Sequence, residues 1–143
     1  MKTILFICIS SVLLINSCAI ESPSSFYSFK IVNKTAVFLI VKSMTINEDS
    51  IRIDTVRSGQ ELKREIHLFE RYIDYKDTLI FHLFSNLKIK SNEGMVKKDL
   101  YNRGNWESHL DIRPGITGKG VIGNLTLVIK QSDLILTSNI QTE

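Results

Sequence analysis

An apolar alternation of period two recurs along most of this chain and constrains it more than any other feature. In Phe26–Val32, Tyr27, Phe29 and Ile31 share one face. Ala36–Ile46 is the most β-prone stretch: Phe38, Ile40, Met44 and Ile46 face one way, and Val37, Leu39 and Val41 the other. A strand apolar on both faces is expected to be central and covered on both sides. Ile51–Arg57 follows, with Ile51 and Ile53 expected inward and Arg52 and Asp54 outward. In Glu61–Phe69, Ile66 and Leu68 oppose Glu65 and His67. Thr78–Phe84 is apolar on both faces and reads as a second central strand, with Leu87–Lys90 as its hairpin partner. Val121–Lys130 turns Leu125, Leu127 and Ile129 inward, and Leu134–Ile140 reads as an edge strand or a helical turn.

Polar turns separate these runs: Asn33-Lys34-Thr35, Asn47 to Ser50, Ser58-Gly59-Gln60, Asn92-Glu93-Gly94 and Gln131-Ser132-Asp133. No amphipathic helix and no internal repeat is evident. Short strands punctuated in this way predict an all-β fold, an antiparallel β-sandwich of about seven or eight strands, Ig-like or transthyretin-like. A small barrel is the alternative. Met95–Arg113 has no clear period.

The N-terminus has a different grammar. Lys2 precedes an apolar run, Ile4–Ile15, broken only by Ser10 and Ser11 and ended by Asn16-Ser17-Cys18. A helix of about 12 residues is roughly 18 Å long, too short for a hydrocarbon core of roughly 30 Å. A basic start, a short apolar run and a small residue at its end read as a cleaved signal. Ile15-Asn16-Ser17-Cys18 resembles the lipobox of bacterial lipoproteins. The resemblance implies cleavage before Cys18, a diacylglycerol thioether on its sulfur and acylation of its new amino group. Residues 1–17 would be the signal peptide, 18–25 a lipidated tether and 26–143 the sandwich domain. One acyl chain holds only marginally, whereas two or three hold almost irreversibly. Ala19 stands after the cysteine, not aspartate, and by the family's sorting rule this implies the outer membrane.

Composition then excludes several chemistries. The chain has 143 residues, a formal net charge of +3 and two cysteines. Cys8 lies in the leader and Cys18 would be acylated, which leaves the domain without a thiol for a disulfide, a metal or a nucleophile. The basic residues are scattered, so no nucleic-acid partner is expected. His67, His82 and His109 match no metal-ligand spacing, with His82 expected to be buried in its strand and His67 solvated. Glu70, Asp74 and Asp77 match no calcium loop. In the glycine-rich stretch Pro114–Gly120, Arg113 and Gly120 stand where a phosphate loop needs a glycine and a Ser or Thr. Glu107 and Asp111 could form a carboxylate pair only across a cleft. No catalytic residue, metal or cofactor is assigned.

One segment carries the candidate binding residues. Asp99 to Asp111 breaks the strand rhythm and contains the only tryptophan. Tyr101 and Trp106, beside Arg103 and Asn105, could stack on a glycan or anchor a protein. The alternative is that Trp106 plugs one end of the sandwich. The order of these strands and the stretch Asp99-Leu100-Tyr101-Asn102-Arg103-Gly104-Asn105-Trp106 resemble small uncharacterised outer-membrane lipoproteins of gut and oral anaerobes. The expected function is therefore non-enzymatic: a membrane-anchored binding or assembly module with a protein or glycan partner. A periplasmic inhibitor or immunity-type lipoprotein is the alternative, and a hydrolase a weaker one. Replacing Cys18 by serine is expected to abolish both acyl labelling and leader cleavage. Metabolic labelling with a fatty-acid analogue and the mass of the product check this.

Overall fold

A computed structural model describes residues 24–69, 75–114 and 119–136. The leader, Cys18, Glu70, Asp74, most of the glycine-rich stretch and residues 137–140 lie outside the described residues. Nine strands form two packed sheets: β1 Ser25–Lys34, β2 Leu39–Thr45, β3 Arg52–Val56, β4 Glu61–Leu68, β5 Phe84–Ser91, β6 Gly94–Val96, β7 Trp106–Pro114, β8 Lys119–Lys130 and β9 Leu134–Leu136. One sheet has the order β4-β1-β8-β7 and the other β3-β2-β5-β6-β9. The expected all-β sandwich is present. All its pairings are antiparallel except β1 with β8, which run parallel from Phe26–Ile122 to Lys34–Lys130.

The alternation read in three strands fills the interior. Tyr27, Phe29 and Ile31 of β1, Ile66 of β4, and Leu125, Leu127 and Ile129 of β8 are buried. From the other sheet Leu39, Val41, Val56, Phe84, Leu87 and Ile89 meet them. Phe29 packs edge-on against Phe84, with ring centroids 4.7 Å apart. At Gly123 a Cβ would lie 2.5 Å from Tyr27 Cδ1, so the absent side chain admits the tyrosine ring.

Both crossings between the sheets on the first half of the chain meet at Asn33, which is fully buried. Its Nδ2 donates to the carbonyls of Val37 and Val56, both at 2.8 Å. Its Oδ1 accepts from the Thr35 N–H at 2.9 Å and the Thr35 hydroxyl at 2.7 Å. Its backbone N–H donates to the Gln60 carbonyl, and its carbonyl accepts from the Gly59 N–H, each at 2.9 Å. The turn read at Asn33-Lys34-Thr35 is thus the corner where β1 leaves one sheet for the other. It is tied to the β3–β4 turn, where Gly59 takes a φ of +74°.

Four expectations are corrected. Thr78–Phe84 is not a strand: a 3-10 turn at Lys76–Thr78 leads into a short helix, α1 Leu79–Leu83. Leu79, Ile80 and Leu83 are buried, while Phe81 and His82 are exposed. In sequence this run carries apolar residues on either face, a pattern too short for periodicity to separate one helical turn from a covered strand. Leu87–Lys90 is then the body of β5, not a hairpin partner. β2 is central but covered on one side only: Leu39, Val41, Ser43 and Thr45 point inward, and Ile40 and Met44 lie half-buried outside. Ile51 and Ile53 are exposed, because β3 turns Asp54 and Val56 inward instead. Leu134–Leu136 resolves the last ambiguity as an edge strand paired with β6.

Replacing Asn33 by alanine leaves the Val56 carbonyl and the Thr35 N–H without partners in a buried corner, and leaves the Val37 carbonyl only the Thr35 hydroxyl at 3.0 Å. At about 1–3 kcal/mol per unsatisfied group, the expected loss is several kcal/mol, read from the midpoint of denaturant unfolding. Val41→Asp should unfold the domain by burying an unpaired charge, whereas Ile40→Asp should be mild.

Candidate functional site

The segment from Asp99 to Trp106 is closed on itself. Asp99 Oδ1 accepts from the Tyr101 N–H at 3.0 Å, and the Asp99 carbonyl accepts from Asn105 Nδ2 at 2.8 Å. Asn102 Oδ1 accepts from the Gly104 N–H at 2.8 Å, which sets the 3-10 turn Arg103–Asn105. Arg103 Nη1 donates to the Trp106 carbonyl at 3.2 Å, and Nη2 reaches the Ser108 hydroxyl. Tyr101 Oη accepts from the Leu87 N–H at 2.8 Å, a bond that stitches the segment to β5.

Trp106 is 3% exposed. Its indole N–H donates to the Leu100 carbonyl at 2.8 Å, and its ring stacks toward Phe84 with centroids 6.2 Å apart. Of the two readings open for Trp106, the buried one is observed: its side chain plugs the sandwich and presents no flat face outward. Tyr101 is half-buried and stacked on Phe81 at 4.5 Å. The four residues singled out in the sequence are therefore brought together, but with their polar groups bonded within the segment or to β5 and β7.

The remaining candidates disperse. His67 packs edge-on against Phe26, His82 lies exposed against Tyr75, and His109 is exposed on β7. Among the described residues no group of three or more His, Cys, Asp or Glu side chains could hold a metal. Glu107 and Asp111 sit four residues apart on β7. That spacing is on the order of 13 Å along a strand, beyond the range of a glycosidase pair. Asp111 instead pairs with Arg113 at 3.3 Å.

A charged cluster closes the edge between β3 and β4. Arg64, directed inward beside Phe29, meets Asp54 of β3, and Glu48 lies 3.9 Å from it. Glu48 also bonds Arg52 at 2.6 Å and accepts from the Thr45 N–H at 2.9 Å. Burial alone would raise the Glu48 carboxyl. The Thr45 bonds and the Arg52 and Arg64 charges outweigh it and hold the group below its usual value. At the opposite end Asp133 is likewise held low: burial opposes ionisation, but the Lys130 N–H and the Lys98 ammonium, 3.0 Å away, prevail.

None of the described residues covers the outer face of the five-stranded sheet. Register places Ile40 beside Thr55 and Lys90, Lys42 beside Ile53 and Lys88, and Met44 beside Asn86. Met95 continues the first row from Lys90, and Ile135 follows it. None of these outward positions is acidic. Ile53 is 63% exposed, and Ile51, Met95 and Ile135 are also exposed. A depression of about 240 Å³ lies among Ile40, Lys42, Ile51, Asn86, Lys88 and Lys90. Lys42 and Lys88 stand directly opposite each other across the β2–β5 ladder, an arrangement that weakens a sheet. None of the three lysines makes an ion pair with a described residue. The sequence held a signal for this face in Lys42, Lys88 and Lys90 at alternate positions, but it was masked by reading Ile51 and Ile53 as core.

Among the described residues no helix is long and apolar enough to cross a membrane. No family model, no curated protein and no solved structure matches the chain.

Replacing Trp106 by alanine should cost about 3–5 kcal/mol of stability, as for other large core aromatics. Denaturant unfolding of the variant, together with blue-shifted tryptophan emission of the native protein, checks this.

Proposed function

We propose that this chain is a non-catalytic lipoprotein, held at the outer membrane through acylated Cys18, that binds a protein partner. The outer face of the five-stranded sheet is the binding surface. The observation that carries the reading is the Lys42–Lys88 pair. Two like charges face each other across a ladder, ringed by exposed Ile53 and half-buried Ile40, with no carboxylate to offset them. Such an arrangement costs the free domain stability and gains from a partner that brings acidic groups to the rim and apolar groups to the centre. A glycan partner is less well supported, because Trp106 is occupied in the core and Tyr101 is stacked on Phe81.

The test is capture of membrane proteins by the full-length lipoprotein and by a Lys42→Glu, Lys88→Glu variant. Both lysines are exposed, so the variant should fold with an unchanged unfolding midpoint. Charge reversal should weaken capture by roughly tenfold or more, since like charges across an interface cost several kcal/mol. Equal capture by both proteins rejects this face. Protease shaving of intact cells tells whether the partner is met on the cell surface or in the periplasm.

A further inference from the structure

We infer that the end of the sandwich at which the chain enters β1 rests on the membrane, with Phe69, Phe81 and Ile46 inserted among the lipids. The inference rests on the acylation of Cys18 in the reading above and adds an orientation to it. Ser25, the first residue of β1, pairs with Leu68 at the end of β4. Phe69 follows Leu68 directly and is 82% exposed. From the other sheet, the Ile46 N–H donates to the Leu83 carbonyl at 3.1 Å, which sets the end of β2 beside α1. Asn47 Nδ2 reaches the His67 carbonyl and ties that turn to β4.

Phe81, on α1, is 60% exposed although one face lies on Tyr101, and Ile46 is 51% exposed. The three side chains border one cleft of about 290 Å³, together with Leu68 and Tyr75. Phe69 and Phe81, the two most exposed phenylalanines among the described residues, are thus gathered at the end where β1 begins, while Phe38, 40% exposed, lies before β2 at the other end. Bare phenylalanines at an aqueous surface mark a contact.

The tether selects the occupant. Six residues stand between Cys18 and Ser25, and the connection reaches at most about 25 Å when fully extended. A lipid anchored through Cys18 therefore keeps this end within that distance of the bilayer, while the Asn92 turn, at the far end of β5, lies a strand length beyond. Insertion of Phe69 and Phe81 would stand the strands away from the membrane. The Lys42–Lys88 face would then point sideways, open to a partner in the same membrane.

Three single-cysteine variants of the lipidated full-length protein test this: Asn47→Cys beside the cleft, Lys88→Cys on the sheet face and Asn92→Cys at the far end. With Cys18 acylated, the introduced cysteine is the only thiol of the mature chain. Each is labelled with an environment-sensitive dye and reconstituted into phosphatidylcholine vesicles containing spin-labelled lipid. The expected result is a blue shift and lipid quenching at position 47 alone, lost when Phe69→Ser is added. Mass spectrometry of the same samples reports acylation. If Cys18 carries no acyl group, the anchoring reading fails and this inference falls with it. If Cys18 is acylated but the dye at position 47 stays in water, anchoring stands and the orientation alone is rejected. Quenching at position 88 in its place means that the sheet face lies on the membrane, which overturns both the orientation and the lateral binding face.

Discussion

The side chain of Asn33 holds together two chain segments that would otherwise only pass each other. Every donor and acceptor of the residue is used, on the link from β1 to β2, on the end of β3 and on the turn into β4. A buried amide whose partners lie on three segments has one geometry in which all are satisfied, and any slip leaves several polar groups dry and unpaired. The register of the two sheets against each other follows from this. Leu39 and Val41 face Phe29 and Ile31 because the corner fixes where β2 starts. An apolar residue at position 33 could fill the space but could not specify the alignment.

The borders of the core are closed by different means. Near β3 and β4, the inward side of the sheets ends in Arg64, Asp54 and Glu48. Near β5 and β7, it ends in the Trp106 plug with its indole bonded to Leu100. Polar closure on one border and aromatic closure on the other leave the inner faces dry while the outer face of the five-stranded sheet stays bare. That face sets lysines of β2 and β5 among apolar side chains of the neighbouring strands, whereas the outer face of the other sheet carries Lys30 bridged to Glu61 at 3.1 Å.

Period-two patterning made β1, β4 and β8 legible in the sequence, because each buries one face and solvates the other. It misled at Ile51 and Ile53, where the inward face of an edge strand is polar. Asp54 points in because Arg64 waits across the gap, and no local pattern announces an ion pair between positions ten apart on separate sheets. Helix α1 was hidden for another reason: five residues between a turn and a strand are too few for a helical period to declare itself. The Trp106 segment was recognisable as irregular, yet its direction depended on whether Leu100 and Leu87 would come near, which is a property of the fold. The lysine face follows the same logic. Lys42 and Lys88 are neighbours only once β2 and β5 pair.

Between β1 and β8 the strands run parallel, so nearly the first strand to be synthesised is completed by nearly the last. Phe26 must wait for Ile122, and Lys34 for Lys130. Until then one edge of β1 stays unpaired, with Tyr27, Phe29 and Ile31 incompletely covered. Pairings this distant in sequence pay their loop-closure entropy before any contact rewards it, and they form slowly. The four-stranded sheet is therefore complete only once Lys119–Lys130 has been made, whatever hairpins form before it.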